Sequence, residues 1–306
     1  MKDVGQRTAE AAALKHAVPY IRIFRGKIFV IKLGGGALER EATLRGLLEQ
    51  VEVLHQVGIR VVLVHGGGPQ STALAQSLGI EPRFIEGRRV TDEKALEIAA
   101  LVLNGSLNTR LLAACRRQQL PAIGLSGVDG GLIRARRRPP VPVDYGYVGD
   151  IVGVDPAPLR QILDGGFVPV VSPLSADDEG TLLNVNADTV ASALAVALQA
   201  EKLLFLTGAA GLLERQDDPG SLVSYTDLAG LRRLREQGSF ATGMLPKASA
   251  VESAIQGGVR RVHLLSQDLP DGLLAEVFTN EGVGTLVVED VHALTPAEQG
   301  AQVDAA

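Results

Sequence analysis
The sequence predicts an α/β protein built on a mostly parallel sheet, and three observations predict it. Short runs rich in β-branched residues, such as IFVIKL at 28–33 and VVLVH at 61–65, end in consecutive glycines, as buried strands do when they break into tight loops. Strand-like runs alternate with stretches whose apolar residues recur at helical spacing, the mark of a parallel sheet with helices on its faces. Finally, 46% hydrophobic content with 35 glycines and 4% aromatic residues suits a Val/Leu/Ala-rich sandwich better than an antiparallel β protein.

At 306 residues the chain supports one large or two medium domains. A net charge of −5 and an isoelectric point near 5.6 argue against a nucleic-acid or anionic-membrane partner. The single Cys115, in the helical pattern LLAAC, excludes an internal disulfide and a multi-cysteine zinc site and reads as a buried, inert thiol. No apolar run approaches the length of a membrane span, and MKDVGQRTAE lacks the hydrophobic core of a signal peptide, so a cytoplasmic location is expected.

Local signals give the order of elements. Residues 7–20 read as a helix ending near Pro19; with no strand of its own to pack on, it either docks on another subunit or covers the sheet. Residues 41–57 form an amphipathic helix between two strands, and a helix over 69–78 opens with Pro69 at the favoured first position. A long helix from Asp92 to about Arg117 has Thr91 as its N-cap, with Lys94 where a capping box would place Glu. Residues 121–133 give a strand, a turn and a second short strand. Arg134, Arg136, Arg137 and Arg138, with two prolines after them, read as a solvated hairpin tip. A strand at 145–154, a helix at 156–164 stopped by Gly165 and Gly166, and the doubly buried strand FVPVVSPL follow. From about residue 200 the pattern restarts with strand KLLFLTG, helix 226–237, strand RRVHLLS, helix 270–277 and strand GTLVVED. The domain boundary is drawn near residue 196, inside a helix, and the end of the chain reads as a frayed tail.

The chemistry centres on two glycine crests, LGGG at 33–36 and HGGGP at 65–69. Consecutive glycines bring bare N–H groups up to a ligand. With a helix starting directly after, those groups point outward with the positive end of its dipole, a setting for an anion. Lys32 adds a fixed positive charge beside the first crest, so an anionic group is expected between the crests at the carboxyl edge of the sheet. Arg89 has the planar fork that grips a carboxylate, although an exposed arginine with nothing to bind is the commoner case. In NVNAD, Asn184, Asn186 and Asp188 alternate at a strand end before an apolar helix. Such groups are costly without partners, so a site is favoured, with Asp188 as a mere N-cap the alternative. Lys247, in GMLPK just before a helix, is either a second lysine for a phosphate or a solvated one.

Neither crest supplies G-x-G-x-x-G, because Glu39 and Ser71 stand where the third glycine belongs, and a nicotinamide dehydrogenase is disfavoured. G-x-x-x-x-G-K-[ST], G-x-S-x-G and H-E-x-x-H are missing too, and five scattered histidines make no obvious metal cluster. Glycine loops, two lysines and one aspartate remain, an inventory for phosphoryl transfer.

IKLGGG (31–36), VHGGGP (64–69), GRRVTD (87–92), GLSGVDGGLI (124–133), YVGDIVGV (147–154), NVNADT (184–189) and GMLPK (243–247) resemble the amino-acid kinase family, in family order over roughly residues 20–290. RVTD and NVNAD are similar to the members acting on N-acetyl-L-glutamate rather than on aspartate, carbamate or uridylate. The resemblance implies a three-layer α/β/α sandwich whose mostly parallel central sheet continues through two lobes. It divides the chain into an oligomerising, regulatory helix (1–22), an acyl-amino-acid-binding and dimerisation domain (23–196), an ATP-binding domain (197–292) and a tail (293–306). It implies transfer of the γ-phosphoryl group of ATP, with Mg2+ on the nucleotide and no metal site of the protein's own, to the side-chain carboxylate of N-acetyl-L-glutamate in arginine biosynthesis. That carboxylate is already ionised near neutral pH, so no general base is required. On this reading Lys32 and Lys247 neutralise the moving phosphoryl group and Asp188 holds both lysines. Gly34 and Gly35 contact phosphate, Gly67, Gly68, Arg89 and Asn184 bind the acyl-amino acid, and Thr207, Gly208, Gly211 and Gly243 hold the nucleotide.

The resemblance extends to arginine-inhibited, hexameric members, which carry a leading helix and a segment like HLLSQDLPDGLLAEVFTNEGVGTLV. It implies feedback inhibition by arginine at Tyr20, His263, Glu276, Gly282 and Gly284, with Glu276 pairing the guanidinium, in a homo-oligomer that is a dimer or a hexamer. A nitrogen-signalling protein as partner is left open. Gly208, where an acidic or amide residue is usual, Arg88 at an apolar position and Ser106 in place of a lysine depart from the family pattern. Two other readings stay open: a kinase for acetylated or carrier-linked aminoadipate, and a non-catalytic arginine-sensing kinase-like domain, which often loses the lysines.

Overall fold
The computed structural model describes residues 4–85, 87–240, 243–280 and 282–290, without the side chains of 4–11 and 13. The expected tail at 293–306 lies outside the described residues. The first half of the chain runs α1 (Val4–Phe24), β1 (Ile28–Leu33), α2 (Gly35–Glu39), α3 (Glu41–Gln56), β2 (Arg60–His65), α4 (Gly68–Ser77), β3 (Phe84–Ile85), β4 (Arg88–Arg89), α5 (Glu93–Ala100), a π-helical stretch (Leu101–Leu107), α6 (Asn108–Arg117), β5 (Ala122–Ser126), β6 (Ile133–Arg137) and β7 (Gly149–Val154). It continues with α7 (Ala157–Asp164), β8 (Val168–Ser172), β9 (Leu174–Ala176), β10 (Leu182–Asn184), α8 (Ala187–Leu198), β11 (Lys202–Thr207), β12 (Tyr225–Asp227), α9 (Leu228–Glu236), α10 (Leu245–Gln256), β13 (Arg261–Ser266), α11 (Gly272–Phe278) and β14 (Thr285–Val288).

Eight strands make one sheet in the order β12-β14-β13-β11-β1-β2-β8-β5, and β14 on β13 is its one antiparallel pairing. Strand β1 lies between β2 and β11, which places Lys32 opposite Val64 on one side and Phe205 on the other. Since the three strands are parallel, the loops after Leu33, His65 and Thr207 leave the sheet at one edge. The period-two alternation divides the buried residues between two faces. Val30, Val62, Val64 and Phe205 belong to the cluster that includes α8 and α10, while Phe29, Ile31, Leu33 and Leu63 join α3 and α6. This is the expected α/β architecture with a mostly parallel central sheet and helices around it. A smaller sheet, β10-β9-β6-β7, carries Asn184 at the end of β10.

Local expectations differ from the structure at four places. Helix α1 runs through Pro19 to Phe24. A proline inside a helix removes one hydrogen bond, but the last turn is held by packing, because Phe24 is buried edge-on against Phe29. The long helix is capped by Asp92, whose side chain accepts from the Ala95 N–H at 2.9 Å, and not by Thr91. Arg134, Arg136 and Arg137 lie on β6 rather than on a tip, and the fourth, Arg138, is paired with Asp150. The helix Glu93–Arg117 is long and apolar enough by composition to cross a membrane, although no run of that kind was expected. Its Ile98, Val102, Leu107 and Leu111 are buried in the core, so it reads as a core helix. Cys115 is buried, and burial pushes its thiol up to about 12, as an inert thiol requires.

Candidate active site
Helix α8 opens on Asn186, whose side-chain oxygen accepts from the N–H groups of Asp188 (2.8 Å) and Thr189 (3.2 Å). Because Asn186 does the capping, the Asp188 carboxylate in the first turn is free for another task. Its Oδ1 lies 2.8 Å from Lys32 Nζ and its Oδ2 3.0 Å from Lys247 Nζ. Lys247 stands inside the first turn of α10 rather than ahead of it, because that helix begins at Leu245 with Pro246 as its second residue. All three residues are buried, at 8%, 7% and 7% exposure for Lys32, Asp188 and Lys247.

The arrangement carries two positive charges against one negative. Burial alone would favour a neutral Asp188, but the two ammonium groups outweigh it and hold the carboxyl down to about 2. For Lys247, burial and then repulsion from Lys32 outweigh the attraction of Asp188 and bring the ammonium down to about 8. Its Nζ also lies 5.1 Å from the centre of the Phe205 ring.

The glycine crests face this charge. Gly34 caps α2 and Gly67 caps α4, and the Gly66 N–H donates to the Leu33 carbonyl at 3.0 Å, joining one crest to the other. Room for a side chain is short at two positions. A Cβ on Gly35 would lie 2.7 Å from Pro69 Cδ, and one on Gly67 would lie 2.6 Å from Leu107 Cδ1. Behind the second crest His65 is fully buried, with Nδ1 3.0 Å from the Gly66 carbonyl and Nε2 3.2 Å from Asn108 Nδ2. Since the Gly66 oxygen can only accept, Nδ1 carries the proton, and burial keeps the ring neutral by lowering its pKa to about 4.

A cavity of about 1000 Å³ opens over these groups, lined among others by Lys32, Gly35, Gly67, Arg89, Asn184 and Asp188. The Arg89 guanidinium lies 4.8 Å from the centre of the Phe84 ring and donates to Thr72 Oγ1 at 2.5 Å and the Gly68 carbonyl at 3.1 Å. Asn184 Nδ2 donates to Thr91 Oγ1 at 3.2 Å, which is the use the fold makes of Thr91 in place of capping. The four expected nucleotide residues are not among the cavity's lining. Thr207, Gly208 and Gly211 follow the end of β11 and Gly243 precedes α10, so they border the same edge of the sheet. Thr207 Oγ1 accepts from the Ala209 N–H at 2.9 Å, and a Cβ on Gly211 would lie 2.5 Å from Thr285 Oγ1, whereas Gly208 and Gly243 stand in open space. Among the described residues Asp188 is the one carboxylate in the lining, and both its oxygens are engaged by lysines. No cluster suited to a metal occurs among the described residues. With a lysine on each of its oxygens, Asp188 is not placed to ligate a magnesium ion as well.

The residues expected to hold arginine also come together, away from the cavity. Glu276 accepts from the N–H groups of Val283 (2.6 Å) and Gly284 (2.9 Å) and lies 2.6 Å from His263 Nδ1. His263 Nε2 is 3.0 Å from Lys202 Nζ, whose ammonium lies 5.1 Å from the centre of the Phe24 ring. Burial, then the nearby Arg261, brings Lys202 down to about 7; burial, then Lys202, brings His263 down to about 4. Gly282 has φ +62° and packs against the Glu276 carboxylate, and the Tyr20 hydroxyl donates to the Asn280 side chain. Lys202, Asn280, Gln70 and Thr72 were missed from the sequence. For Lys202 a signal existed, a lysine opening the otherwise apolar strand run KLLFL.

Two lysines on one carboxylate beside glycine crests give an excess of fixed positive charge, which suits transfer of a group that is itself an anion, and the class this defines is a phosphotransferase. Residues 27–266 match the amino acid kinase family, and the chain belongs to it. It is 48% identical over 297 residues to acetylglutamate kinase of Myxococcus xanthus, covering 94% of this chain and 96% of that one. With acetylglutamate kinase of Archaeoglobus fulgidus the identity is 41% over 282 residues, covering 90% and 97%. Among solved structures, N-acetylglutamate synthase from Neisseria gonorrhoeae complexed with coenzyme A and N-acetyl-glutamate superposes with a TM-score of 0.82 at 33% identity, over 92% of this chain. The match spans 64% of the synthase. Carbamate kinase from Giardia lamblia, at 19% identity and a TM-score of 0.63 over 87% of this chain and 99% of that one, shares the fold.

Replacing Asp188 by Asn leaves two buried ammonium groups without a counter-charge, and a loss of about 3–5 kcal/mol in folding stability is expected. Urea denaturation at pH 7 measures it, and the loss should shrink as pH rises through about 8, where Lys247 gives up its charge. Lys247 must be charged to meet an anion. The apparent kcat/KM for the nucleotide is therefore expected to fall as pH rises through about 8, the value burial gives Lys247 in the free protein. A pH–rate profile reads this limb, and Lys247→Arg should remove it while lowering activity.

Proposed function
We propose that this protein phosphorylates the side-chain carboxylate of N-acetyl-L-glutamate at the expense of ATP. The observation that carries this reading is the buried Asp188 carboxylate with Lys32 on one oxygen and Lys247 on the other, facing two glycine crests. The acyl-amino acid enters the cavity with its other carboxylate on Arg89 and Asn184, and Gly67 and Gly68 border its reacting end. Its side-chain carboxylate attacks the γ-phosphorus as an ionised nucleophile, so no base has to remove a proton. The new bond forms from that oxygen to phosphorus as the bond to the bridging oxygen of ADP breaks, and Lys32 and Lys247 neutralise the charge on the phosphoryl oxygens and the leaving oxygen. Amide N–H groups of the crests around Gly34, Gly35 and Gly67 receive the migrating group. Magnesium, when bound with the nucleotide, supplies further neutralisation at its phosphates.

In this reading residues 23–196 hold the acyl-amino acid and residues 197–292 the nucleotide, with Thr207, Gly208, Gly211 and Gly243 on the nucleotide side. The setting is cytoplasmic and the pathway is arginine biosynthesis, in line with the acetylglutamate kinases the chain is similar to. Exposed Leu14 and Ile23 on α1 support a homo-oligomer built through that helix. The second site, Tyr20, His263, Glu276, Gly282 and Gly284, to which Lys202 is added, takes arginine as feedback inhibitor. Arginine must displace the bonds Glu276 makes within the chain, since both its oxygens are engaged. The retained Lys32, Asp188 and Lys247 favour an enzyme over a sensing domain.

An ATP-dependent hydroxamate assay with N-acetyl-L-glutamate is expected to show turnover, and Lys32→Ala and Lys247→Ala each to lower kcat by about 10²–10³. Undiminished turnover in either variant would exclude the scheme. In the same assay, arginine at about 1 mM, a typical metabolite-site concentration, is expected to inhibit; activity indifferent to it rules out the regulatory part alone.

A further inference from the structure
Gln70 is not among the residues lining the cavity, yet its side chain ties the two crests together. From the first turn of α4 its Nε2 donates to the Gly35 carbonyl at 2.8 Å, and its Oε1 is buried with no hydrogen-bond partner among the described residues. The neighbouring Pro69 presses on Gly35, where a Cβ would lie 2.7 Å from Pro69 Cδ. Two residues on, Thr72 Oγ1 accepts from Arg89 at 2.5 Å and donates to the Gly68 carbonyl at 3.0 Å, which accepts from Arg89 as well at 3.1 Å. A single helical start, Gly68 to Thr72, therefore holds the phosphate crest with one side chain and the carboxylate-gripping arginine with another. Gly34 caps the five-residue α2 and Gly35 opens it, so the Gln70 side chain fixes where that short helix starts relative to the first turn of α4.

We propose that the start of α4 is a ruler, and that Gln70 is the positioning residue by which it selects the acceptor's chain length. The proposal rests on the phosphorylation of an acylated dicarboxylic amino acid argued above. Arg89 fixes one carboxylate of the acceptor and the Gly35 crest fixes where phosphorus arrives, so the span between them admits one number of methylenes. Adding or removing a methylene moves the attacking oxygen by about 1 Å, and a misplacement of that size costs on the order of 10²-fold in rate. Without the Gln70 donor the Gly35 carbonyl loses its tie to α4, the first crest can shift against the second, and the ruler loses its mark.

The test uses the full chain with Gln70→Met, which keeps the size and removes the donor, and Thr72→Val, which loosens the other end. Release of ADP is followed with N-acetylaspartate, N-acetylglutamate and N-acetyl-2-aminoadipate, giving kcat and KM for each. For Gln70→Met, kcat with N-acetylglutamate is expected to fall about 10²-fold while KM stays within a few-fold. The kcat/KM preference for N-acetylglutamate over N-acetyl-2-aminoadipate is expected to narrow about tenfold, since one methylene is worth about 10–200-fold. An unchanged preference in Gln70→Met overturns the ruler, as does a raised KM with kcat intact, the signature of uniform binding. If Gln70→Met does not fold, as judged by circular dichroism, Thr72→Val decides by the same preference. Wild-type protein that phosphorylates none of the three acceptors sinks the proposed function and the ruler with it. Wild-type turnover with variants of unaltered preference sinks the ruler alone.

Discussion
The site depends on one buried carboxylate. Asp188 is reached by Lys32 from the end of β1 and by Lys247 from the start of α10, so a strand and two helices meet on two oxygen atoms. A buried charge is tolerated only where it is paired. Removing Asp188 would leave two ammonium groups uncompensated, whereas removing either lysine leaves one ion pair in place. The sheet supplies the alignment, because β1 and β11 are hydrogen-bonded neighbours and the helices α8 and α10 share the core cluster on one face of it.

The excess positive charge of this cluster and the N–H groups of two glycine crests address the same difficulty, bringing an anionic acceptor up to an anionic donor. Side chains that touch no substrate serve the same end. His65 holds the Gly66 carbonyl and is itself fixed by Asn108, whose amide also donates to the Val170 carbonyl at 3.1 Å. Gln70 does the equivalent for Gly35. The crests are mobile by composition and ordered by these neighbours.

The buried row Lys202, His263 and Glu276 follows a related principle without facing the cavity. Its tautomer is fixed, since Nδ1 of His263 donates to Glu276 and Nε2 must accept from Lys202. Phe24 at the end of α1 lies over Lys202, and Gln50 of α3 caps α11 by accepting from the Leu273 and Leu274 N–H groups at 2.9 and 3.3 Å. The first helix and the last are thereby coupled to one charged cluster. Its placement beneath α1 could not follow from the Pro19 stop signal, which packing of Phe24 overrides.

What the sequence determined by itself is whatever depends on near neighbours along the chain. Strand runs ending in glycine triplets and the polar trio Asn184, Asn186 and Asp188 at a strand end before a helix are local patterns that the structure keeps, although α2 and α4 begin at Gly35 and Gly68, inside the triplets rather than after them. The family motifs added the pairing of the lysines with Asp188, which spacing alone does not contain. Only the tertiary structure decided that Asn186 caps α8 and frees Asp188, that Thr91 serves Asn184 while Asp92 caps, and that Gln70 meets Gly35, Thr72 meets Arg89 and Lys202 meets His263. The physical reason is that a hydrogen bond or ion pair is fixed by distances through space. Chain order constrains those distances only within a few residues, and beyond that the packing of the sheet sets them.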